Sequence, residues 1–579
     1  MEHQILRHPN PQFARPDYVM LDGEWEFEVD NAAQYWKKPG EQKEHLKGSI
    51  QVPFAPESPL SGIGDREMNF RLWYAKEFTL PEGFEGRTVL LHFGAADYHA
   101  RVFVNGTAVG EHFGGYTPFS FDITPYLQKQ NRIVVCTADD TRDPRIPSGK
   151  QSPLYRSFSA LYTRTSGIWQ SVWLEACGDL RMESVRFHTR IDGNVSAAVA
   201  FSKSAVGCDL ALDVSYGGVP VLHTVERITA FDHTTAFCIS DPKLWGAGEG
   251  HLYDCRMTLM QEGKVLDVIE TYFGIREVGF LHNAFHLNGK PLFLRMVLDQ
   301  GFYPDGIYTA PNDAALERDI HLAMAMGFNG ARLHEKVFDP RYLYHADRNG
   351  FLVFGEFPDM GLSIDRIEAL SYMLPEWLEA LRRDVNHPAI VAWCPFNETT
   401  TNDFFSETPQ CNRVIETVYR ITKQFDPSRP VFDTSGSMHT TVTDVYDMHD
   451  YTQTEEAFVA RYGKGYHHMY GDRNGVRRGQ PYMVTEFGGI LWDVDGKDAA
   501  WGYGAAPKSE EEFLARFAMM VRTLLGNPDC IGFCYTQLYD VEQEKNGLYT
   551  YDRVPKFAPE QICAILSAKA AMERGLVES

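Results

Sequence analysis

Two short runs end an apolar segment on an acid. In Val391 to Glu398 (VAWCPFNE) the apolar residues give way to Asn397 and Glu398, and in Tyr482 to Gly488 (YMVTEFG) the acid is Glu486. Burying a carboxylate without a partner costs several kcal/mol, so a buried strand that ends on one needs a chemical reason or a solvated turn. Glycoside hydrolysis supplies such a reason: it needs one carboxyl protonated to donate to the leaving oxygen and one ionised to attack the anomeric carbon or activate water. An apolar, aromatic mouth raises one acid, while Arg or amide donors keep the other charged. Either acid alone is more often a helix cap or a solvated loop residue, so the weight rests on finding both at matching positions.

Strands and helices alternate from about residue 278 onward. The expected strands are Leu292 to Leu298, Gly330 to Leu333, Phe351 to Gly355, Ala389 to Pro395, Pro430 to Thr434, Thr443 to Met448, Tyr482 to Thr485 and Cys530 to Thr536. Between them lie amphipathic stretches such as Ser509 to Leu525, opened by a Ser509/Glu512 capping box, and Asp313 to Met326, closed by Gly327. Eight such units in about 300 residues predict a (β/α)8 barrel over 278–579, whose chemistry sits at the C-terminal ends of its strands. The polar residues expected on that rim are Asp299, Gln300, Arg332, His334, Glu356, Asp359, Asn397, Glu398, Asp447, His449, Asp450, Glu486 and Gln537, interleaved with aromatics that include Tyr451, Trp492 and Tyr535. Such a rim suits a ligand covered in hydroxyls, a sugar. For Arg332 an ion pair with a rim acid, and for His449 a structural hydrogen bond, carry equal weight with substrate contact, and each aromatic is more often core than sugar platform.

The rest of the chain is β in character. Residues 1–178 alternate in short strands such as Glu24 to Val29 and Thr88 to Phe93, with Asn105-Gly106 as a hairpin turn between Ala100 to Val104 and Thr107 to Val109. Residues 179–277 match one small sandwich in length, with strands at Val195 to Phe201, Asp209 to Ser215 and Asp254 to Leu259. The 579 residues carry a net charge of −23, which disfavours nucleic acid or an anionic membrane as partner. No run of about 18 apolar residues and no apolar leader are present, so a soluble, cytoplasmic protein is expected. The ten cysteines lack paired spacing, and His467-His468 is the one adjacent histidine pair, so neither a disulfide framework nor a metal site is expected. Assembly into a homo-oligomer is compatible with the sequence.

Four motifs carry a resemblance: Tyr162 to Gln170 (YTRTSGIWQ), Phe285 to Pro291 (FHLNGKP), Gly327 to His334 (GFNGARLH) and Asn386 to Trp393 (NHPAIVAW) leading into Asn397-Glu398. The chain resembles glycoside hydrolase family 2, the β-galactosidases, β-glucuronidases and β-mannosidases, over nearly its whole length. The resemblance implies a jelly-roll sugar-binding-like domain over 1–178, an immunoglobulin-like sandwich over 179–277 and a catalytic barrel over 278–579. It also implies Glu398 as acid/base, Glu486 as nucleophile, Asn397 on the sugar 2-hydroxyl, and retention of anomeric configuration with the carboxyls about 5–5.5 Å apart. Substrate contacts are expected from Asp299, Arg332, His334, Asp447, His449, Tyr451, Trp492, Tyr535 and Gln537.

A terminal β-galactoside-like sugar is the first expectation for substrate. A β-hexuronide is the alternative, glucuronide or galacturonide. Glucuronidases of the family carry an Asn-x-Lys motif, whereas the corresponding loop here reads Val541 to Leu548 (VEQEKNGL), with Arg332 or Lys336 left to meet a carboxylate. No metal and no cofactor are expected. Two other classes stay open: a carbohydrate-binding protein with an inactive barrel, and a metal-dependent barrel hydrolase, which would need a His-x-His that Met296 to Asp299 does not offer.

Overall fold

The computed structural model describes residues 8–33, 45–399, 410–436, 438–468, 477–494, 496 and 500–574. The first region folds into a sandwich of a four-stranded and a six-stranded antiparallel sheet around Trp25, Leu72, Leu91, Val102 and Leu174. Asn105 (φ 50°) and Gly106 (φ 82°) form the turn between His99–Val104 and Thr107–Phe113, because both tolerate the left-handed backbone that a two-residue hairpin needs. The second region packs a three-stranded sheet on a four-stranded one around Leu210, Leu212, Met257 and Ile269.

The third region is the barrel. Its strands are β1 (Leu294–Asp299), β2 (Gly330–Leu333), β3 (Leu352–Glu356), β4 (Ile390–Cys394), β5 (Tyr446–Asp450), β6 (Tyr482–Gly488) and β7 (Cys530–Thr536). They pair in parallel in the order β4-β3-β2-β1-β7-β6-β5. Strand β4 and strands β5 to β7 are buried at every residue, as a parallel sheet covered on both faces requires.

The segment expected as a fifth strand, Pro430 to Thr434, is not a regular strand. It is the remaining stave, tied to β4 by single parallel bridges at Trp393–Val431 and Asn397–Ser435 and to the far side by Asp444 N donating to Val431 O at 3.1 Å. Pro430 has no N–H to give to a ladder, and Asp433, Thr434 and Ser435 turn their polar groups to local partners, which breaks the regular pairing. The strand expected at Thr443 to Met448 begins later and runs on to Asp450.

Helices cover the staves: α1 (Asp313–Ala325), α2 (Pro340–Asn349), α3 (Leu370–Asp384), α4 (Asn412–Phe425), α5 (Glu455–Tyr462), α6 (Glu510–Gly526) and α7 (Pro559–Leu566). In α6 the Ser509 hydroxyl caps Glu512 N at 3.3 Å, while the Glu512 carboxylate reaches back to Lys508 N at 2.9 Å. Phe513, Phe517, Met520, Val521 and Leu524 form its buried face. The sandwiches dock on the barrel through polar contacts, among them Tyr116 N donating to Glu376 on α3 at 2.7 Å and Tyr272 OH donating to Asp347 on α2 at 2.8 Å.

Candidate active site

Glu398 follows β4 and Glu486 lies in β6, both at the C-terminal mouth. One carboxylate oxygen of each glutamate and a ring nitrogen of His449 lie within 4.8 Å of one another. Glu398 holds φ +52°, a left-handed conformation rare for a residue with a side chain, and its N–H is anchored on Ser435 O at 2.9 Å. Strain of this kind costs about 1–3 kcal/mol and persists where the surroundings enforce it. The two acids differ in setting, because the Glu398 side chain is 40% exposed and that of Glu486 only 4%.

Arg332, at the end of β2 and fully buried, organises the floor. Its Nε donates to Glu356 Oε1 at 2.6 Å, one terminal nitrogen donates to Glu486 Oε1 at 3.0 Å, and the other donates to Asn397 Oδ1 at 3.1 Å. The Tyr451 hydroxyl donates to the second Glu486 oxygen. His334 sits between Glu356 Oε2 (3.2 Å) and Glu486 Oε1 (3.9 Å). His449 Nδ1 reaches Glu398 Oε1 at 2.8 Å and Glu486 Oε1 at 3.5 Å. Its Nε2 faces Ser435 Oγ at 3.1 Å and the Arg332 guanidinium at 3.3 Å.

Burial acts to raise both carboxyls and is outweighed. The His449 hydrogen bond holds Glu398 at about 2, and the charges of His449, His334 and Arg332 hold Glu486 below the usual carboxylate range. Glu356 is likewise held at about 2, against the pull of its burial, chiefly by the Arg332 charge. The Glu398, His449 and Glu486 atoms could by distance alone surround a cation. The Arg332 guanidinium already places a positive charge 3.0 Å from that Glu486 oxygen, which disfavours a second one.

Other expected residues take supporting positions. Asp447 lies beneath His449, accepting from Ser435 Oγ (3.0 Å), Gly436 N (2.8 Å) and the Thr485 hydroxyl. Asp299 accepts from Gly301 N (2.9 Å), Tyr342 OH (3.0 Å) and Tyr539 OH, so its lone pairs are used inside the wall. Gln537 bridges Gln300 (2.8 Å) and Asn546 (2.9 Å). Two aromatics expected on the rim are packing residues: Tyr535 is fully buried against Phe487 and Phe517, and Trp492 stacks toward Phe513 and Phe557. Strand alternation turns Tyr535 outward to α6, a direction that an all-apolar strand does not reveal in sequence.

Neither of the cations expected for a carboxylate is open to one. Arg332 is committed to two glutamates and an amide, and Lys336 Nζ donates to Gly301 O (2.6 Å) and Tyr308 O (2.8 Å) over the Tyr308 ring. The structure adds residues that the sequence did not point to. Glu544 is buried, accepts from Tyr162 OH of the first sandwich and from Asn546 Nδ2 at 2.8 Å, and is raised by burial to about 7.

A parallel barrel with two carboxyls facing each other at its strand ends, preceded by two β-sandwiches, is the architecture of a glycoside hydrolase. Family models agree region by region: "Glycosyl hydrolases family 2, sugar binding domain" over residues 19–175, "Glycosyl hydrolases family 2" over 184–276, and "Glycosyl hydrolases family 2, TIM barrel domain" over 280–498. The chain belongs to glycoside hydrolase family 2. A β-galactosidase of Thermoanaerobacter pseudethanolicus is 28% identical over 465 residues, 78% of this chain and 58% of the relative. A β-glucuronidase of Streptococcus agalactiae is 23% identical over 591 residues, 93% of this chain and 94% of the relative. A putative β-glucuronidase of Formosa agariphila is 26% identical over 73% of this chain, which spans only 53% of its length. Among solved structures, a β-glucuronidase of Bifidobacterium dentium complexed with coumarin-3-O-glucuronide shares the fold with a TM-score of 0.80 at 21% identity, covering 96% of this chain and 98% of the other. No helix among the described residues is long and apolar enough to cross a membrane.

Proposed function

We propose that this chain is a retaining exo-β-glycosidase that releases a terminal hexuronic acid from a β-glycoside. The observation that carries the mechanism is that one carboxylate oxygen of Glu398 and one of Glu486 lie within 4.8 Å of each other, which supports the short separation of double displacement over the wider gap that leaves room for a water. Glu486, buried, ionised and oriented by Arg332 and Tyr451, attacks the anomeric carbon. Glu398, open to solvent on one side, takes up a proton, gives it to the leaving oxygen, and then activates the water that cleaves the glycosyl-enzyme. Asn397 Nδ2 is buried with no partner among the described residues, while Arg332 holds its Oδ1, which leaves the amide N–H groups to donate to the sugar 2-hydroxyl.

For the sugar, the comparisons favour the hexuronide alternative over the galactoside-like first expectation: the relative matched over 94% of its own length is a β-glucuronidase. A neutral, galactoside-like sugar is the second reading. The β-galactosidase relative supports it. Hydrolysis of a panel of nitrophenyl β-glycosides separates the two. Turnover of glucuronide or galacturonide at least tenfold above the galactoside supports the first reading, and galactoside turnover with inert uronides supports the second. Turnover of mannoside or arabinoside alone contradicts both.

A further inference from the structure

We propose that Lys150, carried into the barrel mouth by a loop of the first sandwich, is the residue that receives the carboxylate of the terminal sugar. The inference rests on the hexuronide reading above.

The loop is clamped onto the barrel. Ser148 N donates to Met360 O at 2.8 Å and Gly149 N to Pro358 O at 3.3 Å, both acceptors lying just past the end of β3. Gly149 holds φ +55°, and a Cβ there would fall 2.4 Å from the carbonyl oxygen of Glu335, just past β2, so only glycine admits this approach. Lys150 O accepts from Tyr162 N at 2.8 Å, and the Tyr162 hydroxyl in turn holds Glu544. Lys150 is thereby fixed between the loops after β2 and β3 and the loop after β7.

Its charge acts on the groups around the catalytic pair. The Lys150 ammonium favours the ionised forms of Glu398, Glu335 and Glu544 and disfavours a charged His334. The residue is only 7% exposed, and its ammonium makes no hydrogen bond or salt bridge to a described residue. The nitrogen itself keeps contact with solvent, so an incoming anion can reach it. The nearby acids do not cancel its charge, because burial raises Glu335 to about 8 and Glu544 to about 7, leaving much of each protonated at neutral pH.

Two other cations of the mouth are occupied. Arg332 and Lys336 are committed as described. In the loop after β7, Asn546 is tied to Glu544 and Gln537, and the Lys545 charge acts on Asp540 and Lys556. The charge that a uronate needs comes from a different domain.

The test compares nitrophenyl β-glucuronide and β-galacturonide with the matching neutral glycosides in the full-length enzyme, as wild type, Lys150→Met, Lys150→Gln and Lys150→Arg. Loss of a charged hydrogen bond lowers the uronide-to-neutral ratio of kcat/KM by about 100-fold in Lys150→Met, mainly through KM, and Lys150→Arg stays within about tenfold of wild type. Lys150→Gln reads the same ratio should the methionine variant not fold. A wild type active on uronides whose ratio is unmoved by these substitutions overturns the role of Lys150 and leaves the hexuronide reading standing. A wild type inert on uronides but active on neutral glycosides overturns both.

Discussion

In the second sandwich Leu210, Leu212 and Val214 fill the core while Asp213 between them faces solvent, and two of its side-chain pairs, Arg227–Asp209 and His223–Asp213, lie on the surface. At the barrel mouth the arrangement is reversed. Arg332, Glu356, Asp447, His449 and Glu486 are buried together, and Glu398 and Glu335 hold left-handed backbone at φ 52° and 49°. Surface pairs are worth about 0–1 kcal/mol, whereas removing one partner of a buried pair costs about 3–5 kcal/mol. The sandwich uses burial for stability; the mouth uses it to fix charges around a gap. A region that tolerates so much buried charge and backbone strain is organised for chemistry rather than for stability.

That contrast can be broken most severely at Glu486. Glu486→Gln keeps the shape and removes the attacking charge, so turnover of nitrophenyl glycosides falls by about three orders of magnitude or more while sugar binding by calorimetry persists. Retention of more than a few per cent of activity contradicts the assignment.

Glu398→Ala loses about 10²–10⁴-fold on a poor alkyl leaving group and distinctly less on an activated nitrophenolate, which needs little protonation. An equal loss on both places the acid elsewhere. His449→Asn gives a smaller effect that sharpens the electrostatics. Loss of the hydrogen bond lets the Glu398 carboxyl rise from about 2 toward the ordinary range. The activity that needs a protonated Glu398 disappears as pH climbs through that value, so the basic limb of the kcat/KM profile moves to higher pH in the variant. An unmoved limb means His449 is a structural partner only.

The smallest effect belongs to the other region. Val225 is 52% exposed on the second sandwich, and Val225→Thr changes stability by about 0.5 kcal/mol or less and leaves kcat/KM within about twofold.

Much of the framework was legible because it is local. The β2 and β7 strands lie at the residues expected, the Ser509/Glu512 cap forms, and both acids fall at strand ends. The irregular stave at 430–435 was half legible: its apolar start reads as a strand, and only the three-dimensional neighbours show that its polar end bonds elsewhere. Tyr535 was misplaced because a strand buried on both faces carries no alternation to mark which side faces the barrel axis. Glu544 and Lys150 were hidden for a different reason. The Tyr162–Glu544 bond joins residues 382 apart, and no periodicity within either segment encodes a contact between domains.

The central claim, that the gap between Glu398 and Glu486 enforces double displacement, is tested most directly by proton NMR of the sugar in the first minutes of hydrolysis, before mutarotation. The account predicts that the β-anomer of the released sugar appears first and the α-anomer only later. Initial formation of the α-anomer would mean that a water, not Glu486, attacks the anomeric carbon, and would contradict it.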